Sequence, residues 1–410
     1  MNLIPVDVDS IRIGHPLPFH LVDKDGVLLA RKSFVIASRA DLATIAQRGG
    51  GLFIDGVDGE TLHRAYVDQL HVLMRAEKSI GEIAGSKLDA GAAIKRAPPD
   101  NVQTDWLDLQ LQAHHTLREV HASSFPERLE QLHQKLNQAI ARNADSALFA
   151  LIHLASSETT MYSSTHAMLV SAMCGLASRD VLNWTVQHET TVRKAALTMN
   201  ISIADLQDKL AAQTTDIDEI QRKQLVGHAD RSADLLASLG VGEPDWLAAV
   251  RLHHTAQAGA LSSKVPAHRF ARLIERADIF AARLSPRGVR PPVSPAAAMQ
   301  ACYFDENRQV DEAGAALIKS VGIYPPGTYV KLATNEIATV IRRSANTSMP
   351  RVAVIVNRNG IPTVEPIVRE TSLKDFRVVN SVAAHEVRVK IQLDRMLALT
   401  QAPATDRIVW

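Results

Sequence analysis

The stretch LEQLHQKLNQAI, from Leu129 to Ile140, shows the pattern that decides the fold. Its apolar residues, including Leu132 and Leu136, recur every three or four positions, so they share one face of an α-helix. The same period runs through most of the chain between residues 102 and 323. We therefore expect a mainly α protein, with a helical bundle domain as its largest part.

A small α+β unit is expected before this region, in residues 1–97. Asp23–Gly26 is a turn sequence between two short apolar runs, which predicts a β-hairpin. Ser38 followed by Asp41 predicts the N-terminus of a short helix, and residues 52–54 resume as a strand. Residues 60–93 have the pattern of a helical connector that leads into the bundle.

A small antiparallel β unit is expected after the helical region. Pro98-Pro99 and Pro325-Pro326 are breaks, and they predict a helical domain over 98–325 and a third domain over 326–410. In the third domain the apolar period changes to two, as expected for strands. A closing amphipathic helix is predicted over residues 384–399.

Composition excludes several classes of function. The 410 residues contain 45 Lys and Arg against 44 Asp and Glu, so no basic surplus indicates nucleic-acid binding. The sequence contains no apolar run of about 18 residues, the length that predicts a membrane span, and we therefore expect a cytoplasmic protein. Cys174 and Cys302 lie far apart in apolar runs, and we expect both to be buried free thiols.

Five potential metal ligands are spread over the helical region, each in an apolar setting. Imidazole and carboxylate groups are the usual ligands of Zn, Fe and Mn sites. A carboxylate on an apolar helix face also needs a partner, because burying it alone costs several kcal/mol. The five residues are His166, His228, His253, His254 and Asp278.

Each of the five has a simpler interpretation. A lone histidine in an apolar helix is usually a satisfied core or capping residue. The doublet His253-His254 would place one ring in solvent and one half-buried, because adjacent residues on a helix diverge by about 100°. Asp278 could form a salt bridge with Arg251 or Arg283. A second doublet, His114-His115, has polar neighbours and is interpreted as a surface feature.

Taken in order, the five residues resemble the metal-binding residues of the HD-GYP family of cyclic di-GMP phosphodiesterases. His166 matches the first histidine, His228 a later helix histidine, His253-His254 the histidine doublet, and Asp278 the last metal-binding aspartate. The resemblance implies an HD-type helical domain with a short N-terminal module and a β tail, and it covers nearly the whole chain. It also implies a metal-dependent phosphoric diester hydrolase.

The catalytic motifs of that family are not intact here. Met199-Asn200 stands where the His-Asp pair is expected, and Ile203 replaces the lysine of His-Asp-x-x-Lys. In residues 253–263, only the two histidines and Gly259 match His-His-Glu-x-x-Asp-Gly-x-Gly-Tyr-Pro. The aspartate of the pair would bridge two metal ions, whereas an asparagine amide is neutral and its nitrogen is no ligand. No catalytic residue is therefore assigned.

The resemblance and its departures together predict a degenerate HD-GYP signalling protein that acts as a receptor or protein-interaction module. Its cofactor would be either none or one divalent Fe, Mn or Zn ion. A protein partner is expected, cyclic di-GMP is a candidate ligand, and a homodimer stays open. The alternative is an active phosphodiesterase that recruits Glu158 or Asp205 as a ligand. A purely structural partner-binding protein is the third class.

Overall fold

The computed structural model describes residues 104–401 except 121–123, 158, 289 and 290. Nearer the N-terminus it describes 3–5, 11, 13–14, 17, 20–24, 27–31, 34–36, 38–48 and 51–55. The chain divides into two compact units, with the division between Gln103 and Thr104. None of the described helices combines the length and the apolar character that a membrane crossing requires.

The N-terminal unit contains a small antiparallel sheet and a helix, as predicted. Strands β1 (Leu3–Pro5), β2 (Leu21–Val22), β3 (Leu28–Ala30) and β4 (Phe53–Asp55) pair in the order β1-β4-β2-β3. The predicted hairpin is β2 and β3. Helix α1 (Arg39–Arg48) begins after Ser38, whose hydroxyl oxygen accepts the backbone N–H of Asp41 at 3.1 Å. The helical connector predicted over 60–93 lies outside the described residues.

The second unit is mainly helical, which confirms the predicted fold class. Its helices are α2 (Trp106–Arg118), α3 (Phe125–Arg142), α4 (Ala144–Ser157), α5 (Tyr162–Asp180), α6 (Val186–Thr198), α7 (Ala204–Ala212), α8 (Glu219–Leu225), α9 (His228–Ser238), α10 (Pro244–Leu252), α11 (Pro266–Leu284), α12 (Pro295–Tyr303), α13 (Glu312–Val321) and α14 (Leu393–Gln401).

Helix α5 lies at the centre of this unit. Nearly all of its residues are buried, which is the signature of a helix surrounded by others rather than one at the surface. Helix α3 is amphipathic instead, and its predicted apolar face is buried. Both cysteines, Cys174 in α5 and Cys302 in α12, are buried free thiols as expected.

A five-stranded antiparallel sheet follows the helices. Its strands are β5 (Tyr329–Leu332), β6 (Ile337–Arg342), β7 (Arg351–Val356), β8 (Pro362–Glu370) and β9 (Val378–Val382), in the order β8-β7-β6-β5-β9. Strands β6 and β7 lie inside the sheet, and their runs of small and β-branched residues are almost wholly buried.

The closing helix is shorter than predicted. It begins at Leu393, whereas the sequence suggested a start near residue 384, where a single 3₁₀ turn (Ala384–Glu386) is found. Between the two, Val387–Ile391 alternates β-branched and cationic side chains. That alternation has the period of extended backbone, and β-branched residues lose side-chain freedom in a helix.

The sheet packs directly on the helices and shares their core. Ile341, Ala353 and Ile355 of the sheet belong to the same buried cluster as the helix residues. Gly327 enters β5 with a φ of +90°, and a Cβ there would lie 2.7 Å from the carbonyl oxygen of Phe149 in α4. The unit Thr104–Trp410 therefore contains both the helices and the sheet. The three-domain division stays a prediction.

Candidate metal centre

The first two candidate ligands meet between helices α5 and α11. His166 Nε2 lies 2.6 Å from Asp278 Oδ1. The imidazole is fully buried, while the carboxylate side chain is 17% exposed. Asp278 thus has the partner that its apolar setting required, but this partner is His166 and not one of the arginines suggested from the sequence. Arg251, one suggested salt-bridge partner, instead pairs with Asp230 and Asp234.

The other three candidate ligands form a histidine cluster. His228 is the first residue of α9, while His253 and His254 follow directly on the last residue of α10. One ligand atom from each of the three lies within 4.8 Å of the others. His228 and His253 are buried and His254 is exposed, so the cluster opens to the surface at His254.

The placement of the doublet differs from the sequence expectation. The histidines were predicted on the helix, where their side chains would diverge, but α10 ends at Leu252 and both lie in the turn that follows. Outside regular helix the two rings converge, with centroids 4.0 Å apart. His254 Nε2 is also 3.2 Å from His228 Nε2.

Backbone carbonyls fix the orientation of two rings. His228 Nδ1 donates to the carbonyl oxygen of Leu225 at 2.8 Å, and His253 Nδ1 donates to that of Val250 at 2.6 Å. A carbonyl can only accept, so the proton is on Nδ1 and each Nε2 keeps a lone pair that can accept a hydrogen bond or bind a metal ion. Metal-binding histidines are held in this way by outer partners.

One buried side-chain atom in the cluster has no hydrogen-bond partner among the described residues. It is His253 Nε2, which is buried away from solvent. A buried nitrogen lone pair without a partner costs free energy unless something else occupies the position. The donor set and this unpartnered nitrogen fit a divalent cation held by imidazoles, with Asp278 as the nearby carboxylate.

The electrostatics of the cluster follow from burial. Burial lowers the pKa of His253 to about 3, and it also lowers the pKa of His228. Burial would raise the pKa of Asp278, but the hydrogen bond with His166 and the nearby His253 and His254 hold that pKa well below its usual value. The His228 and His253 imidazoles are therefore neutral, and the Asp278 carboxylate is ionised, at neutral pH.

The Met199-Asn200 segment lies between α6 and a 3₁₀ turn, Ile201–Ile203. Met199 is a buried core residue, and Asn200 Oδ1 is buried without a partner among the described residues. The turn is tied to the histidine cluster, because the Ser202 hydroxyl donates to the carbonyl oxygen of His228 at 3.0 Å. Ile203, which stands where the resemblance places a lysine, is a buried apolar residue.

The structure adds residues that the sequence reasoning missed. The ring of Tyr162 stacks on His166 at a centroid distance of 5.4 Å, and its hydroxyl lies 3.4 Å from His166 Nδ1. Arg287 donates to that hydroxyl and lies over the tyrosine ring. The spacing of four residues between Tyr162 and His166 on one helix could have suggested the first contact. No local signal pointed to Arg287.

One of the two ligands suggested for an active enzyme is not in this cluster. Asp205 is an exposed residue that forms an ion pair with Arg118. Glu158 lies outside the described residues. Of the second doublet, His114 is not a free surface group: its Nδ1 lies 3.4 Å from Ser164 Oγ and 3.7 Å from Asp208.

Comparisons with known proteins leave the site to be judged on its own geometry. No family model matches the sequence, and no curated protein matches it. Among solved structures the chain is similar to Bd1817, described as an HDG"Y"P protein from Bdellovibrio bacteriovorus. The TM-score is 0.42 and the identity 14%, over 77% of this chain and 98% of the other.

Proposed function

We propose that this chain is a degenerate HD-GYP signalling protein, a receptor or interaction module that holds one divalent cation and hydrolyses cyclic di-GMP poorly or not at all. The observation that carries the proposal is the convergence of His228, His253 and His254. They come from two separate segments, yet their ligand atoms lie within 4.8 Å of one another. The order of the candidate ligands along the sequence gives independent support.

The residues that would hold the ion are these three histidines. Three or four protein ligands suffice for a mononuclear site, and imidazole suits Zn and Fe. Asp278 would complete the site as a further ligand or as the acceptor that keeps His166 in place. When bound, the cation would supply a Lewis acid for an anionic ligand.

Poor catalysis follows from Met199-Asn200, the residues that stand where the His-Asp pair is expected. Two close cations need a bridging carboxylate, and Asn200 offers only a neutral amide. Met199 is a soft thioether in the core and is unsuited to Fe or Mn. Ile203 cannot stabilise phosphate charge as a lysine would. The scaffold would thus bind without efficient turnover, which is the property of a receptor.

Metal analysis tests the first part of the proposal. The protein is purified without added metal, saturated with Zn²⁺, Mn²⁺ or Fe²⁺, and desalted. Elemental mass spectrometry should then find one bound ion per chain. His254→Ala should release the ion, since His254 is an exposed ligand whose loss leaves the core intact. His115→Ala is the matched control, because His115 is an exposed histidine outside the cluster. Metal retention that is equal in the two variants would contradict the proposal.

A nucleotide experiment tests the second part. Calorimetry should detect cyclic di-GMP binding to the metal-loaded protein, while chromatography of the same mixture shows the dinucleotide unchanged. Turnover to the linear dinucleotide that disappears in His253→Ala would instead establish an active phosphodiesterase. If cyclic di-GMP does not bind at high excess, the receptor role is refuted. The chain would then be an interaction module that does not use this ligand.

A further inference from the structure

A second cavity, separate in its lining from the five candidate ligands, lies between helices α7, α8 and α9. It is a cleft of about 670 Å³, within the usual size range of small-molecule sites. Its apolar lining includes Ile203 and Leu206, which are buried, and Ile220 of α8, which is 71% exposed. The cleft therefore offers an apolar surface to a ligand.

Positive charge converges on this cleft from three helices. Lys209 of α7, Lys223 of α8 and Arg231 of α9 all line it. Asp205 also lines it, but its charge is balanced by Arg118. Lys223 forms an ion pair with Glu219 at 2.9 Å, so Lys209 and Arg231 supply the local surplus of positive charge.

Two of the polar groups are held in place before any ligand arrives. The Arg231 guanidinium donates to the carbonyl oxygen of Val226 at 2.9 Å and to that of Gln224. The amide of Gln221 exchanges hydrogen bonds with the amide of Gln213, at 2.6 and 3.1 Å. Preorganised donors lose little freedom on binding, which favours affinity.

Helix α8, one wall of the cleft, is incompletely packed. None of its residues is buried, although neighbouring helices bury whole faces. A ligand in the cleft would give Ile220 and Gln224 contacts that the protein itself does not supply. The incompletely packed helix α8 and the surplus of positive charge therefore belong to the same cleft.

We propose that this cleft binds a small organic phosphate, with the phosphate near Lys209, Lys223 and Arg231 and an apolar part against Ile203 and Leu206. Lysine and arginine provide charge-assisted hydrogen bonds to phosphate oxygens. The Gln224 amide, and the one N–H that the Gln221 amide does not share with Gln213, can bond to polar edges of the ligand. The site does not use the histidine cluster and stands whether or not that cluster holds a metal.

The cleft is nonetheless connected to the histidine cluster. Ser202 lines the cleft, and its hydroxyl donates to the carbonyl oxygen of His228. The end of α8 is connected as well, because the carbonyl oxygen of Leu225 accepts from His228 Nδ1. A ligand that orders α8 would therefore steady the position of His228.

Calorimetry on the full chain in the presence of a chelator tests the site, with three probes that separate its parts. AMP carries both a phosphate and a ring, pyrophosphate carries charge alone, and adenosine carries the ring alone. We expect AMP to bind most tightly, and its affinity to fall as salt is added. Lys209→Gln combined with Lys223→Gln should weaken AMP binding about tenfold or more, since charged hydrogen bonds are lost.

Two further variants make the result decisive. Lys374→Gln removes an exposed lysine outside the cleft and should leave AMP affinity unchanged. His254→Ala should also leave it unchanged, which separates this site from an anion bound at the metal. The proposal is overturned if none of the probes binds at millimolar concentration. It is equally overturned if the double lysine variant binds AMP as the wild type does, or if His254→Ala abolishes binding.

Discussion

At the residue scale, a buried histidine outside the candidate centre makes stability depend on pH. His133 lies on the buried face of α3, and its Nε2 lies 2.9 Å from the Asn137 side-chain nitrogen. Burial lowers the pKa of His133 from 6.5 to about 4, although Glu130 opposes the shift. The folded chain thus keeps His133 neutral at pH values where the unfolded chain protonates it. The His133 contribution to stability falls as pH decreases from 6.5 towards 4.

We predict that His133→Gln makes the protein less sensitive to acid. Glutamine keeps a polar group beside Asn137 but does not titrate. Each linked proton contributes a slope of at most about 1.4 kcal/mol per pH unit, and the variant should lose this contribution between pH 6.5 and pH 4. Urea unfolding at several pH values measures it. His115→Gln, at an exposed histidine, should keep the wild-type slope. Equal slopes in wild type and His133→Gln would refute the assignment.

Single residues show how far the sequence predicts the site. The order of His166, His228, the doublet and Asp278 was readable, because each residue type stands out in an apolar helix. The contact of His166 with Asp278 could not be predicted from the sequence, because 112 positions separate the two residues and only the packing of α5 on α11 joins them. The carbonyl oxygens of Leu225 and Val250 carry no sequence signal at all, since every residue has one.

At the scale of elements, α5 and α6 pack so closely that a glycine is required between them. Gly175 of α5 faces Arg193 of α6, and a Cβ on Gly175 would lie 1.9 Å from the Arg193 guanidinium carbon. Arg193 is fully buried and donates twice to Glu189, at 2.7 and 2.9 Å. The arginine cannot move aside without losing these bonds in a site closed to water.

We predict that Gly175→Ala destabilises the protein, although alanine is the better helix former. The displaced guanidinium should cost about 1–3 kcal/mol, as overpacking of a core does. Denaturant unfolding measures this cost. In an Arg193→Ala background the same substitution should cost nearly nothing, because the clashing group is gone. An equal cost in both backgrounds would show that Arg193 is not the reason.

The elements themselves were predicted better than their ends. Periodicity identified the long helices because α3 and α11 keep an apolar stripe for several turns. Periodicity placed the end of α10 wrongly. The helix ends at Leu252, directly before the His253-His254 doublet, and nothing in the local pattern marks that end. The ends decide the site, since the turn after α10 is what lets the two histidine rings converge.

At the scale of the whole unit Thr104–Trp410, the sheet and the helices are joined by specific contacts. Arg343, after β6, donates to Asp145 of α4 at 2.6 Å, and it also donates to the carbonyl oxygen of Ser320. Gly327 lets β5 approach the backbone of α4. Sequence breaks at prolines suggested separate domains, but a break in local pattern does not reveal whether the flanking segments share a core.

We predict that Gly327→Ala lowers the stability of the helices as well as the sheet. Gly327 and Gly360 both have positive φ, at +90° and +78°, so alanine is strained at either position by about 1–2 kcal/mol. Only at Gly327 would the new Cβ also meet α4, whereas nothing lies within 4 Å at Gly360. Of the four tryptophans, Trp106, Trp184 and Trp246 lie outside the sheet, so in a Trp410→Phe background the fluorescence reports unfolding of the helical part. If the unit unfolds cooperatively, Gly327→Ala shifts the fluorescence midpoint further than Gly360→Ala does. A helical transition unchanged by Gly327→Ala would mean that the sheet is an independent domain.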